Sequence, residues 1–305
     1  MAGKRGKNPD AKSVVIAVLS FIICAETVLL YQFNPERFVG FFVHRKTAHV
    51  QPAPKSAERL HVMPAEPVSA VPVPAPTAIV PSTGTVKVAF IIDDWGYTTK
   101  NCQYLRDIKS PMAVAVLPDL PHSNDVMQCA HESGKTIMLH LPMEPHSNPD
   151  QYPPDYILKT TMTPIKVDRL LSNILDKMPL VEGVNNHMGS KATEDRRLMT
   201  TVFKQLRYRN LFFVDSRVTA KSVCAPLAKE MGVPFTSRDV FLDNVNERAA
   251  ITTQLASLAR IAKKRGWAVA IGHDRSLTLQ VIEERIPWFK EQGIDIVPIK
   301  DLISQ

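Results

Sequence analysis

From residue 86 onward, short apolar runs of β type alternate with longer stretches of helical periodicity, and this alternation limits the possible folds more than any other feature. The runs fall at 86–92, 112–117, 136–139, 181–184, 211–214, 233–236, 267–271 and 294–297. Most are apolar at consecutive rather than alternate positions, as parallel strands covered on both faces are. Thr163-Pro164 opens one intervening helix, which contains Leu170, Leu171, Ile174 and Leu175, and Gly134, Gly232, Gly266 and Gly293 close others. The pattern predicts an α/β domain over 86–305, an irregular (β/α) barrel of about seven to eight parallel strands. Periodicity alone does not separate this from a doubly wound open sheet.

The first 85 residues read differently. Residues 13–33, SVVIAVLSFIICAETVLLYQF, are long enough as a helix to cross a hydrocarbon core of about 30 Å, with Glu26 the one ionisable interruption. We expect a transmembrane signal anchor there, preceded by a cytoplasmic tail, 1–12. The alternative is a cleaved secretory signal with its apolar core at 14–25, although no clean small-x-small cleavage site follows. Either one exports the rest of the chain. The expected location is the plasma (inner) membrane, single-pass, with the C-terminal domain on the extracytoplasmic (periplasmic) side. Residues 34–85 form the expected tether, with eight prolines between 51 and 85.

The net charge of +7 raises the question of a nucleic-acid partner. Nine of the 37 Lys/Arg and five of the 30 Asp/Glu fall in 1–85, which leaves 28 against 25 for the domain. Without a concentrated basic stripe and interleaved aromatics there, nucleic acid is excluded as a partner class. Cys102, Cys129 and Cys224 are scattered through the domain with no CxxC, so a disulfide is allowed but not demanded.

Chemistry is indicated by where polar residues fall relative to the strands. Asp93-Asp94 follows the first run, His140 ends the third, Asn185-Asn186-His187 follows the fourth, Asp215 ends the fifth and Gly272-His273 follows the seventh. In a parallel α/β barrel all of these emerge at the C-terminal rim, where active sites are built. Two adjacent carboxylates repel each other unless a cation or hydrogen bonds compensate, and a divalent metal would provide that. Read singly, Asp94 could be a turn former before Gly96, and each histidine a hydrogen-bonded core group. Glu144, four residues after His140, is a candidate metal ligand or a group that supports one. Asp215 and Arg217 are candidates for orienting His273 or a substrate, or else for a structural ion pair. Trp95 is either a packing residue or a platform for a sugar ring.

Five segments, Ile91-Ile92-Asp93-Asp94-Trp95-Gly96, His140-Leu141-Pro142-Met143-Glu144-Pro145, Asn185-Asn186-His187-Met188-Gly189-Ser190, Phe213-Val214-Asp215-Ser216-Arg217 and Ala270-Ile271-Gly272-His273, resemble the successive motifs of divergent polysaccharide deacetylases. The resemblance spans nearly all of 86–305. It implies a barrel of the carbohydrate deacetylase type, with Asp93 as base and Asp94 as metal ligand. One departure stands out: carbohydrate deacetylases place two metal histidines four residues apart at the third strand, where this chain has His140 and then Glu144. His187 is then expected to complete the set, giving Asp94, His140 and His187 around Zn²⁺, with ligation by Glu144 left open. The implied reaction is hydrolysis of the N-acetyl group of an extracytoplasmic glycan. His273 would be the proton donor and Asp215 a third catalytic residue that orients it or the substrate, while Glu144, Arg217, Asn186 and Trp95 would lie near the substrate or behind the catalytic groups. A catalytically silent domain that binds glycan or an envelope protein is the competing expectation, and no particular protein partner is indicated.

Overall fold

The computed structural model describes residues 85–147 and 156–303. The expected membrane span at 13–33, the cytoplasmic tail and residues 34–84 of the tether lie outside the described residues, as do 148–155 in the loop after Glu144. Among the described residues no helix is long and apolar enough to cross a membrane.

Strand order decides between the two expected architectures. The strands are β1 (Val86–Trp95), β2 (Ala113–Val116), β3 (Thr136–Met143), β4 (Gly183–Met188), β5 (Phe212–Asp215), β6 (Phe235–Ser237), β7 (Val240–Phe241), β8 (Trp267–His273) and β9 (Ile294–Ile296). They pair in parallel along the path β6-β5-β4-β3-β2-β1-β8-β7. This is sequence order read around a ring, without the reversal that marks a doubly wound sheet. The two ends of the path, β6 and β7, are separated by only Arg238 and Asp239, so the sheet curls until its edges meet at that short stretch. The result is an irregular (β/α) barrel closed by one bent strand split between two neighbours.

Two expected strands differ in detail. The run at 233–236 becomes the split pair β6 and β7. The run at 294–297 gives β9, which lies beside only the first three residues of β1, with Val86 opposite Ile294 and Val88 opposite Ile296. It props the base of the barrel and does not join the ring.

Helices α1 (Cys102–Asp107), α2 (Ser123–Glu132), α3 (Pro164–Lys177), α4 (Arg196–Tyr208), α5 (Cys224–Met231), α6 (Arg248–Arg265) and α7 (Ser276–Glu291) connect the strands. Local sequence sets several of their ends. The Thr163 hydroxyl accepts from Lys166 N ahead of Pro164, the Asp195 carboxylate accepts from Leu198 N, and Gly232 and Gly266 close α5 and α6 in the left-handed conformation.

Alternation along the strands divides the core in two. Val88, Phe90 and Ile92 face the helices, whereas Ala89, Ile91, Ala113, Ala115, Met138, Phe212, Val214, Val269 and Ile271 fill the barrel. Ile299 and Leu302, from a 3₁₀ turn at Ile299–Leu302, join the interior cluster. Gly183 has to lack a side chain, because a Cβ there would stand 2.2 Å from the Phe212 ring. The lower barrel is therefore a packed apolar plug. Continuing the period of two carries β1 to Asp93, β3 to His140, β4 to Asn185 and His187, and β8 to His273, so the inward face turns polar at its C-terminal end.

Candidate metal centre

Five of the expected site residues meet on this polar face. Asp93 lies opposite His273 in the β1–β8 ladder, and Pro142 opposite His187 in the β3–β4 ladder. These residues are within strands rather than after them: β1, β3, β4 and β8 all run further than their apolar runs suggested.

Regular alternation would turn Asp94 outward, since Asp93 points in. The β1–β2 register slips between Ile92 and Trp95, and Asp94 takes a left-handed φ of 64°. This irregularity returns the second carboxylate to the inner side, at a backbone cost of the kind that structure retains at functional sites. Asp94 Oδ1 then lies 3.0 Å from His187 Nδ1 and 3.2 Å from His140 Nε2, and the two ring nitrogens are 2.9 Å apart. The imidazoles meet nearly edge to face, at 83°.

These three atoms form an almost equilateral triangle of metal-capable donors. Ligands at about 2.0–2.1 Å from a tetrahedral ion are separated by about 3.3 Å, so the donor set fits a small divalent cation on both chemistry and spacing. His187, from the next strand, thus supplies the second imidazole of the triangle. Glu144 is committed elsewhere: Oε1 accepts from Lys191 Nζ at 2.7 Å, and Oε2 from Thr160 N and Oγ1 at 2.6 and 2.7 Å. It ties three rim segments together and is outside the donor triangle.

Asn185 lies behind the triangle, fully buried. Its Nδ2 donates to Asp93 Oδ1 at 2.8 Å, and its Oδ1 accepts from His140 Nδ1 at 2.9 Å. An ionised carboxylate only accepts, so the amide NH₂ has to face Asp93, which leaves the amide oxygen for His140. His140 therefore carries a proton on Nδ1 and directs Nε2 toward Asp94 and His187.

The electrostatics follow from packing these charges together. Burial pushes Asp93 above the ordinary carboxylate range, against the pull of His140 and with the charge of Asp94 adding to the rise. Burial opposes ionisation of Asp94 as well, but hydrogen bonds from His140 and His187 hold it well below that range. For His140, burial is outweighed by Asp93 and Asp94, which raise it to about 9, whereas burial lowers His187 despite Asp94, with His140 adding to the fall. The two carboxylates that raise His140 are thus a concentration of negative charge that a cation at the triangle would compensate.

His273 has its own partner, and it is not Asp215. Asp243 Oδ1 lies 2.7 Å from His273 Nδ1, while Asp243 Oδ2 accepts from His273 N at 2.9 Å and from Thr278 Oγ1 at 2.7 Å. Asp243 raises the His273 pKa against the effect of burial. The imidazole stacks on Phe241, which also carries the Arg238 guanidinium 3.6 Å from its ring centroid. Register explains the pairing: Phe241 lies opposite Ile271, and Asp243 and His273 each stand two residues further on.

The remaining expected residues support the rim. Phe212 and Val214 point inward, so Asp215 points out, where it accepts from Arg217 N at 2.8 Å and Ser222 Oγ at 2.7 Å. Neither the role of orienting His273 nor an Asp215–Arg217 ion pair is found among the described residues. Arg217 is exposed and left-handed, with φ 48°. Asn186 also faces outward: it accepts from Ser216 N at 2.8 Å and donates to Met188 O at 2.7 Å, fastening the ends of β4 and β5. Trp95 is completely buried in the helix-side core and offers no face to a sugar.

Comparison with known proteins identifies the family and the fold. The family model described as divergent polysaccharide deacetylase matches residues 90–303. The chain belongs to that family. It is 34% identical over 219 residues to the uncharacterised protein YibQ of Escherichia coli K12, covering 72% of this chain and 68% of that one. An uncharacterised Haemophilus influenzae protein is 36% identical over 197 residues, 65% of this chain and 70% of its own. A crystal structure of an uncharacterised Agrobacterium tumefaciens C58 protein shares the fold at TM-score 0.64 and 22% identity, over 72% of this chain and 90% of that one. The deacetylase barrel expected from the sequence is the fold observed.

Proposed function

We propose that this chain is a metal-dependent deacetylase that hydrolyses the N-acetyl amide of an extracytoplasmic glycan, anchored in the plasma membrane by residues 13–33 and spaced from it by the proline-rich stretch that follows. The observation that carries this reading is the convergence of Asp94 Oδ1, His140 Nε2 and His187 Nδ1 within 2.9–3.2 Å of one another, beside a separately buttressed carboxylate and imidazole.

Asp94, His140 and His187 would hold the ion, and three N/O donors with positions left open suit Zn²⁺. When bound, such an ion supplies Lewis acidity to the amide carbonyl and to a hydrolytic water. Asp93 then acts as general base: Asn185 restrains one carboxylate oxygen and leaves the other to take the proton of the attacking water. His273, whose Nδ1 is engaged by Asp243, presents Nε2 to protonate the departing amine. The buried Asp243 stabilises the imidazolium that this donation requires.

Glu144 bears on the competing reading of a silent binding domain. That reading drew support from the missing third-strand histidine, and the position of His187 removes most of the support. The test is to purify the full chain, determine its metal content, and assay acetate release from N-acetylated glycans. Stoichiometric zinc with acetate release supports the proposal. A folded chain that takes up no divalent metal overturns it, and glycan binding without acetate release points to the silent domain.

A further inference from the structure

Outside the site, the described residues hold three buried thiols with unused chemistry, Cys102, Cys129 and Cys224, and the first two are neighbours. Cys102 opens α1 and Cys129 lies near the end of α2, and both are almost fully buried in the helix-side core. Cys129 Sγ donates to the carbonyl oxygen of Cys102 at 3.4 Å, so the two residues are direct neighbours. From this contact we infer that Cys102 and Cys129 are a disulfide pair, closed as the chain folds in an oxidising compartment. The in vivo part of this inference rests on the proposed export of the domain. The pairing itself does not.

Geometry favours the crosslink. A disulfide needs the two sulfurs about 2.05 Å apart, and the contact of Cys129 Sγ with the Cys102 backbone brings its sulfur within side-chain reach of Cys102. Cys224, the other cysteine among the described residues, opens α5, a different helix from either member of this pair. In the exchange, one cysteine thiolate attacks the disulfide of an oxidant and releases its first thiol, and the second cysteine then attacks the mixed disulfide and releases the other. The chain loses two electrons and two protons in forming S–S, and the oxidant's own S–S bond is broken to two thiols. The oxidant is glutathione disulfide in vitro, or the active-site disulfide of a thiol–disulfide oxidoreductase in the cell. Burial, with the neighbouring thiol adding, pushes Cys102 up to about 12, so thiolate is scarce once the helices have packed. Oxidation therefore belongs to the folding chain.

The crosslink would also brace the candidate site. Asn101, immediately before Cys102, is buried; its Nδ2 donates to Asp274 Oδ1 at 2.7 Å and its Oδ1 accepts from Ser276 Oγ at 2.8 Å. Asp274 N in turn donates to Asp93 O at 2.9 Å. Fixing the start of α1 to α2 thus holds the residue that ties the turn after His273 to the strand bearing Asp93.

The test begins with full-length chain unfolded in guanidinium with reductant and refolded in a reduced/oxidised glutathione mixture. Remaining thiols are alkylated, and the protein is read by intact mass and by non-reducing tryptic mapping. The expected result is two of the four cysteines protected, with peptides 101–106 and 110–135 joined. The oxidised chain should melt about 5–10 °C above the Cys102→Ser variant, whose small side chain keeps the packing. Four alkylated cysteines in refolded protein, or a bond to Cys24 or Cys224 instead, overturn the pairing. Since the readout is mass rather than acetate release, failure of the deacetylase reading would leave this result unchanged.

Discussion

Asn185 donates to Asp93 Oδ1 at 2.8 Å and so fixes which end of its amide faces His140. One neutral side chain thereby restrains the candidate base and sets the tautomer of a candidate metal ligand. Replacing it with leucine of similar size removes both bonds while filling the space. Metal affinity of Asn185→Leu, measured by chelator competition, is expected to fall about 10–100-fold with the fold retained by circular dichroism. In the wild type, the His140 Nδ1 proton should give a protected downfield NMR resonance that is lost in the variant. An unchanged affinity together with a persistent resonance would show that the amide sets nothing.

Asp243 predicts a different signature, because it acts on His273 through charge. Asp243→Asn should lower the His273 pKa, followed by the pH dependence of its ring proton shifts, and should reduce acetate release about 10²–10⁴-fold if His273 is the acid. The same pair makes stability depend on pH in a defined direction. With His273 raised and Asp243 lowered on folding, its full contribution is present only below the unfolded histidine value of about 6.5 and above the unfolded aspartate value of about 3.9. It is lost as pH rises through the folded value of His273, and also as pH falls through that of Asp243. Wild type and Asp243→Asn should therefore differ most in denaturation midpoint near pH 5–6, and the difference should narrow at high pH to what the bonds from His273 N and Thr278 Oγ1 contribute.

Glu144 separates a ligand from a brace. Asp94→Ala and His187→Ala are expected to abolish metal binding, whereas Glu144→Ala should leave the stoichiometry unchanged and destabilise the domain by about 1–3 kcal/mol, since Lys191 and Thr160 lose a buried acceptor. Metal analysis of the three variants side by side decides the point. A Glu144→Ala protein lacking metal would restore the carboxylate to the ligand set.

Much of this site was legible before any coordinates, and the exceptions share a cause. Asp93, Asp94, His140, His187 and His273 stood out because they follow apolar runs, and such positions converge at one rim in any parallel barrel. Choosing between Asn185 and Asn186 needed the strand register: counting two back from His187 selects Asn185, and the neighbour faces the helices. Asp215 failed on the same count, being one residue past the inward-facing Val214. Asp243 was hidden because β7 has two residues and no readable period, so nothing marked the residue beyond it as a strand end. The return of Asp94 depends on a ladder irregularity that no local pattern announces.

Gly183 and Phe212 allow a test of the barrel interior that is independent of chemistry. Both point inward, from adjacent strands β4 and β5, and lie opposite each other in the ladder. A methyl group at 183 would meet three Phe212 ring carbons at 2.2–2.4 Å, far inside van der Waals contact. The ring belongs to the same interior cluster as Ala89, Ile91 and Val214, so it can retreat only toward the cleft at the base of the barrel that it lines with Leu211 and Pro234. Gly183→Ala should therefore cost about 1–3 kcal/mol or more in urea denaturation. Phe212→Leu alone should also destabilise, by removing ring volume from the plug. Together the two should be less harmful than their sum, by an interaction energy of about 0.5–3 kcal/mol, because the shortened side chain makes room for the added methyl. Strict additivity would mean that the glycine is required by backbone conformation rather than by the ring. Asn185 and His187 continue the inward face of the strand that Gly183 begins, so a sizeable coupling would also support the period of two that aims them at the candidate metal centre.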